Sequence, residues 1–464
     1  MATVNLDTKT VETFERQIGG TLLRPGEPDY DEATSVWNAM VEKEPALIAR
    51  CRGASDVIAA VTFARNHDLR LAVKGGGHNV AGNGLCDDGL VIDLSPMDAV
   101  RVDPAARTAR VQGGATMADL DRETQTHGLA VTGGIISSTG VAGLTLGGGW
   151  GRLGRKYGLA IDNLRSADVV TADGDLVQAS DDQHSDLFWA LRGGGGNFGV
   201  VTSLEFDLHE VGPEIPGGVL AYTHDDVAEV LRFYREFAAE APDAASVYAA
   251  FIPAPPEPRF PEEQWGETLL LFRLFYAGDL EEAKAVFEPF RAFGEPIINS
   301  FEPMPYVEFQ QISDDLFPAG RRYYWKSNYF DDLPDGLIDQ LVAHVEDLPT
   351  PYSSIFFEHL GGEISRVDSD ATAYPHRDPL FAITVSPAWT DSDDDQALIE
   401  WARDVYEDLA AYASDGVYVN VLSNEGKARI REAYGGHFER LRSIKTEWDP
   451  ENLFNVNQNI APTG

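Results

Sequence analysis

The chain is predicted to be an α+β protein built from two α+β domains, on three observations. Between Pro45 and Val211 glycine is dense, and short β-rich runs alternate with a few helical stretches. From about Gly212 to Gly416 the composition shifts to long strands rich in Tyr, Phe and Trp, interleaved with helical stretches such as Gly336–Asp347. A chain of 464 residues with 43% hydrophobic content can bury a large core, and by length alone suggests roughly two to four domains. No internal repeat is present.

The elements follow in order. Ser55–Asp68 carries apolar Val57, Ile58, Val61 and Ala64 at helical spacing, with Ser55 as the expected N-cap. Leu69–Val73, Leu90–Leu94 and Thr108–Val111 read as strands, and Thr116–His127 as a helix closed by Gly128. Val169–Val177 holds Asp173-Gly174 between apolar runs, a hairpin signal. Ser185–Leu191 reads as a short helix and Val200–Phe206 as a strand. In the second region Ile252–Pro261 is Pro-rich and Arg321–Phe330 (RRYYWKSNYF) reads as one long strand. The chain closes with a strand-like Tyr418–Leu422, a charged helix around Ala428–Lys445 and an irregular tail, NLFNVNQNIAP.

Charge and cysteine content exclude several classes. Lys plus Arg number 36 against 75 Asp plus Glu, a net charge of −39. Such a field repels nucleic acid and anionic membranes, and neither is expected as a partner. The acidic excess is dispersed, with one dense run at Asp391–Asp395, as on a heavily solvated surface suited to concentrated salt. Two cysteines, Cys51 and Cys86, make neither a disulfide framework nor a metal spacing. The first twenty residues include acidic side chains and no apolar signal core, and no run of 18 apolar residues occurs. A cytoplasmic protein is expected. The histidines form no HxxxH pair, and no metal is expected.

Three glycine clusters carry the functional signal. Lys74–Gly84 (KGGGHNVAGNG) has no GK[ST], and a GxGxxG spacing from Gly75 meets Val80. A strand follows it where a phosphate loop needs a helix. Gly149–Gly154 does satisfy GxGxxG after an apolar VAGLTL, but RKYGLAIDNL beyond it shows no helical stripe. Arg192–Gly199 (RGGGGNFG) lies between a helix and a strand. Glycine clusters bordered by strands suggest backbone segments converging on one extended anionic ligand, held by amide N–H groups.

KGGGHNVAGNG followed by LVIDLS, then VTGGIISSTGVAGLTLGGGWGRLGRKYGLAIDNL, DLFWALRGGGGNFGVVTSLEF and NLFNVNQNIAP resemble, in order, the signatures of berberine bridge enzyme-like FAD-linked oxidases. These have the vanillyl-alcohol oxidase/p-cresol methylhydroxylase (PCMH-type) fold, and the likeness runs from about Pro45 to the C-terminus. It implies an FAD-binding domain over residues 1–211 and a substrate domain with an antiparallel sheet over residues 212–417. A segment over residues 418–464 would return to the FAD domain. Contacts to FAD are implied for Lys74, Gly75, Gly76, Gly77, His78, Asn79 and Gly82, and for Ser138, Thr139, Gly140, Gly143, Gly148, Gly149, Trp150 and Gly151. Val201, Asn457 and Asn459 complete that set.

In such proteins the GGGH histidine is bonded to the flavin 8α-methyl, and His78 matches it; a loop histidine capping a turn is the plainer reading. Doubly linked relatives add a cysteine where this chain has Ile136, so one covalent link is implied, as in bacterial members of the 6-hydroxy-D-nicotine oxidase type. Trp150 replaces a tyrosine of some relatives, and an indole is no phenolic base. Thr139 matches a position that controls oxygen access.

Tyr418 and Asn420 match the family's YxN strand facing the active site. Tyr418 is the first choice for proton acceptor or substrate hydrogen-bond partner; as a base it would need a cationic neighbour, for which Lys326 is one candidate, or a positive flavin field. Core packing for Tyr418 and a strand-edge position for Lys326 are the alternatives. His376 and Arg377 match a segment near the domain junction, and of Glu358 and His359 at most one faces the flavin. The resemblance implies hydride transfer from a CH–OH or CH–NH carbon of a sugar, alcohol or amine to flavin N5, with reoxidation by oxygen or another acceptor. Two alternatives remain: a reductase resembling the UDP-N-acetylmuramate reductases with non-covalent FAD, and a non-catalytic flavin- or carbohydrate-binding protein.

Overall fold

The glycine-dense region folds around two small sheets. In a computed structural model that describes residues 6–463, strands Thr21–Leu23, Leu47–Arg50, Leu90–Asp93 and Leu71–Lys74 lie side by side in that order. Residues 1–5 of the N-terminal stretch discussed above, and Gly464, lie outside the described part. Leu90–Asp93 pairs in parallel with both neighbours, so the chain needs a crossover, supplied by helix Ala54–Asn66. Its buried Val57, Ala60, Val61 and Ala64 form the apolar stripe. The N-cap is Gly53 rather than Ser55; the Asp56 carboxylate organises this start by accepting the N–H groups of Gly19 and Arg52.

The second sheet is antiparallel throughout, in the order Val100–Asp103, Thr108–Gln112, Val200–Asp207, Leu164–Val170, Leu176–Ser180. The Asp173-Gly174 hairpin joins its last two strands, with Gly174 at φ +84°. Helix Met117–Gln125 is capped by Thr116 in a reciprocal bond with Asp119.

The third sheet has seven antiparallel strands: Ile298–Pro305, Glu214–Thr223, Thr268–Tyr276, Ala245–Pro253, Ser354–His359, Phe381–Ser386 and Lys326–Phe330. Strand alternation sorts its two faces. Val247, Ala249 and Phe251 pack with Leu231, Phe287, Leu337 and Ala402 of the covering helices. Tyr248, Ala250 and Ile252 pack instead with Trp37 and with Val80 of the first glycine cluster. The second face is therefore a wall turned toward the glycine clusters.

Four local expectations are corrected. VAGLTL is a helix, Val141–Leu146, so the middle glycine cluster has no strand before it, and a single helical turn, Gly154–Tyr157, does follow. Arg321–Phe330 is not one strand: Arg322–Tyr323 pairs with Ala388–Trp389 and only Lys326–Phe330 joins the large sheet. Tyr323 is drawn aside because it stacks on Trp37 at 3.8 Å and its backbone N–H donates to Asn38 Oδ1. Tyr418–Leu422 makes a 3-10 turn, Val419–Val421, in which Asn420 bonds the Leu144 carbonyl and the Tyr418 hydroxyl. The charged helix breaks at Gly435, φ +46°, into Lys427–Tyr434 and Phe438–Trp448.

The C-terminal stretch ties back to the third glycine cluster. Lys445, 0% exposed, donates to the Asn197 and Phe454 carbonyls and to Asp449 at 2.5 Å.

Candidate active site

A cavity runs between the glycine clusters and the aromatic face of the large sheet. Its floor is built by close backbone approach. A methyl placed on Gly76 would lie 2.3 Å from the Gly140 amide nitrogen, so the first cluster meets the Ser138–Gly140 segment only because both positions lack side chains. Among the described residues, no protein acceptor takes the N–H groups of Gly75, Gly76, Gly77, His78 and Asn79. Gly143 and Gly196 also line the cavity with open space where a Cβ would stand.

His78 stands at the end of that row. Its Nε2 lies 2.7 Å from Ser138 Oγ, its Nδ1 3.4 Å from Thr139 Oγ1, and its ring stacks 5.2 Å from Trp37. Burial lowers its pKa to about 4, so the ring is neutral at ordinary pH and Nδ1 carries only a long contact.

The sequence-predicted residues divide. Lys74, Gly75, Gly76, Gly77, His78, Asn79, Thr139, Gly140, Gly143, Trp150, Val201, Tyr418, Asn420 and Asn457 line the cavity, as does Ile136. Ser138 meets it through His78. Gly82 does not line it; its Cβ position would lie 2.5 Å from Val41, so it serves a turn. Gly148, Gly149 and Gly151 lie behind the wall: the Gly149 N–H donates to Tyr418, and Gly151 packs on the Gly133 carbonyl. Asn459 also stands outside the lining, with a buried, unpartnered Oδ1. Lys74 contributes its stem only, since its ammonium donates to Ala33 O and sits 3.5 Å from Asp93.

The pairing of Tyr418 with Lys326 is not formed. Lys326 bonds Glu425 and lies over the Tyr406 ring, away from the cavity. Tyr418 stacks on Trp150 at 3.8 Å, and its oxygen accepts from Gly149 N–H at 2.9 Å and Asn420 Nδ2 at 2.8 Å. Burial pushes its pKa up, not down. It stays a phenol with its own proton left to offer, so it is a hydrogen-bond donor rather than a base.

Strand alternation separates Glu358 from His359. Glu358 faces the cavity, while His359 turns to the helices and meets the Ala238 carbonyl. Glu358 is the one carboxyl group among the described lining residues, and burial raises its pKa to about 7 against the pull of Arg152. His376 bonds the Glu432 and Ala433 carbonyls, and Arg377 pairs with Asp162; both are structural. Sequence reasoning missed Trp37, Tyr248, Trp325 and Phe356, which line the cavity. Trp37 precedes the resembling region, Tyr248 and Phe356 sit on strands whose facing residues no local pattern marks, and Trp325 lies in the break before Lys326–Phe330.

The site fits FAD. The free amides of Gly75–Asn79 could hold a diphosphate without a side-chain cation. Asn457 Oδ1 and Trp325 Nε1 are buried without partners beside the cavity, as polar groups awaiting a ligand would be.

This fold, with its glycine-lined cavity and row of free amides, is that of an FAD-binding protein, and the relatives define it as an oxidoreductase. A family model described as "FAD binding domain" matches residues 45–180, and one described as "Berberine and berberine like" matches residues 417–461. The chain is 32% identical over 458 residues to an FAD-linked oxidoreductase of Dictyostelium discoideum, covering 98% of this chain and 97% of that protein. It is 29% identical over 462 residues to the (R)-6-hydroxynicotine oxidase of Paenarthrobacter nicotinovorans, covering 96% and 98%. The crystal structure of 6-hydroxy-D-nicotine oxidase from Arthrobacter nicotinovorans matches with a TM-score of 0.88 at 28% identity, covering 99% of this chain and 100% of that one. The chain belongs to the berberine bridge enzyme-like FAD-linked oxidoreductases.

Proposed function

We propose that this flavoenzyme oxidises a small organic molecule at a CH–OH or CH–NH carbon, with Glu358 taking the proton from oxygen or nitrogen. The observation that carries this is the unpaired, cavity-facing Glu358 carboxyl held near pKa 7, where a general base works best at neutral pH. FAD, when bound, supplies the hydride acceptor. Tyr418 orients the reacting group by donating its hydroxyl hydrogen, Asn420 holds that hydroxyl in place, and Tyr248, Trp325 and Phe356 offer aromatic walls to a ring-containing body. Oxygen or another acceptor would take the electrons onward, with Thr139 beside the ring of His78.

The cofactor would be bonded covalently through His78 alone. A neutral imidazole with an available Nδ1 supports this, and Ile136, which lines the cavity, has no thiol for a second bond. A cytoplasmic, salt-rich setting is the reading favoured by the unpaired buried Cys51 and Cys86 and by the net charge of −39; fractionation of the source cells and activity in concentrated KCl check the two parts. The deciding experiment for the reaction is anaerobic titration of the yellow protein with sugars, alcohols and amines. Loss of the oxidised-flavin band with one class supports the oxidase; no loss with any leaves a flavin-binding protein.

A further inference from the structure

Next to the sheet end of the cavity, adjoining its lining residues Tyr248 and Glu358 without being part of the lining, stand two guanidiniums that no ion pair neutralises. Arg273 lies directly opposite Tyr248 on the neighbouring antiparallel strand, and such pairs project from one face. Tyr248 and Glu358 line the cavity; with Ala249 opposite Phe357, the register brings Glu358 beside Tyr248 on its other side. Arg273, Tyr248 and Glu358 thus form a row across three strands. A second guanidinium enters from the glycine-rich side: Arg152, 4.6 Å over the Phe309 ring and 3.5 Å from Ser313 Oγ.

Both arginines are buried, at 2% exposure for Arg273 and 5% for Arg152. Nε and one terminal nitrogen of Arg273, and Nε of Arg152, have no hydrogen-bond partner. Among the described residues no carboxylate oxygen lies within the 4.0 Å of an ion pair from either guanidinium. Glu358 is the acid felt by Arg152, and Asp314, which accepts the Ser137 amide, is the one felt by Arg273. Burial lowers Arg273 to about 9 and Arg152 to about 10, yet both stay charged at neutral pH. A buried charge without an ion-pair partner is costly, and two guanidiniums that feel only the half-ionised Glu358 and the more distant Asp314, neither within ion-pair reach, are a charge that an anion would relieve.

We propose that Arg152 and Arg273 form an anion-recognition subsite that takes the carboxylate of the substrate, an organic acid whose oxidisable carbon is presented toward His78 and Tyr418. This deepens the oxidase reading and rests on it for the word substrate. Guanidinium groups suit carboxylates because two N–H groups meet two oxygens. Chloride or phosphate shares the charge chemistry, but the adjoining aromatic walls of Tyr248, Trp325 and Phe356 have a use only for an organic body.

The test is an equilibrium titration of the oxidised holoenzyme, followed by flavin absorption, with benzoate, benzamide, chloride and phosphate at constant ionic strength. Benzoate is expected to bind at least about tenfold more tightly than benzamide or either inorganic ion. Arg273→Met and Arg152→Met should each weaken benzoate by about tenfold or more while leaving benzamide unchanged. Arg273→Lys, which keeps the charge, should lose less and serves if the methionine variant does not fold. Benzamide binding equal to benzoate, equal competition by chloride or phosphate, or benzoate affinity unchanged in the yellow variants would each overturn the subsite. The titration needs no turnover: carboxylate binding that depends on both arginines upholds the subsite even if no compound reduces the flavin, which would remove only the oxidase reading.

Discussion

Gly76 and Gly140 meet backbone to backbone, so closely that a methyl on Gly76 would stand 2.3 Å from the Gly140 nitrogen. The contact joins the His78 loop to the segment holding Ser138 and Thr139. Gly76→Ala must push the two apart, at a cost of about 1–3 kcal/mol for overpacking. Purified protein should carry less flavin per chain, read from the ratio of flavin to protein absorbance. Gly143→Ala meets no atom within 4 Å but lines the cavity. It should lower flavin content without lowering the melting temperature of the apoprotein; unchanged flavin content in both variants contradicts the cradle.

His78→Ala should release the colour on acid precipitation, whereas the unaltered protein should keep it in the pellet and in the peptide containing His78. Colour found in the supernatant from the unaltered protein would refute the covalent bond.

Glu358 sets a pH dependence. Burial raises its pKa in the folded protein to about 7, and the base form predominates above that value. The kcat/KM profile should rise with pH through about 7, and Glu358→Gln should lose activity by about 10²–10⁴-fold together with that limb. Tyr418→Phe should lower the rate but keep the limb, because the phenol stays protonated throughout this range. A limb that survives Glu358→Gln points to another base. For stability the sign is opposite: a carboxyl with a raised folded pKa favours the fold when protonated, and this contribution is lost as pH rises through about 7.

Lys445 and Asp449 are the buried clasp of the C-terminal stretch, at 0% and 0% exposure. Lys445→Met strands the Asp449 charge and the Asn197 and Phe454 carbonyls. The expected loss is about 3–5 kcal/mol, measured by denaturant unfolding at matched flavin loading. A loss under about 1 kcal/mol would mean the tail is held by its other contacts.

Local chemistry made part of this legible. The crossover helix, the Asp173-Gly174 hairpin and the helix that follows Thr116 are short-range choices that glycine and apolar spacing decide. The glycine clusters and His78 were readable because a bare backbone beside a ligand leaves a mark in composition. The errors were also physical. VAGLTL is apolar in either conformation, and the break in Arg321–Phe330 depends on Trp37, far away in the chain.

The sequence by itself determined the α+β class, the cofactor-side loops and the candidate anchor, since each depends on neighbours within a few residues. Tertiary structure alone decided which face of each strand became the cavity wall, that Lys326 is spent on Glu425, and that Tyr418 is a donor. It also decided that Glu358 is a poised base, with Arg152 acting on it and Arg273 one strand beyond Tyr248. The reason is that protonation follows burial and neighbouring charge, and for these groups both come from strands and loops that are distant in sequence.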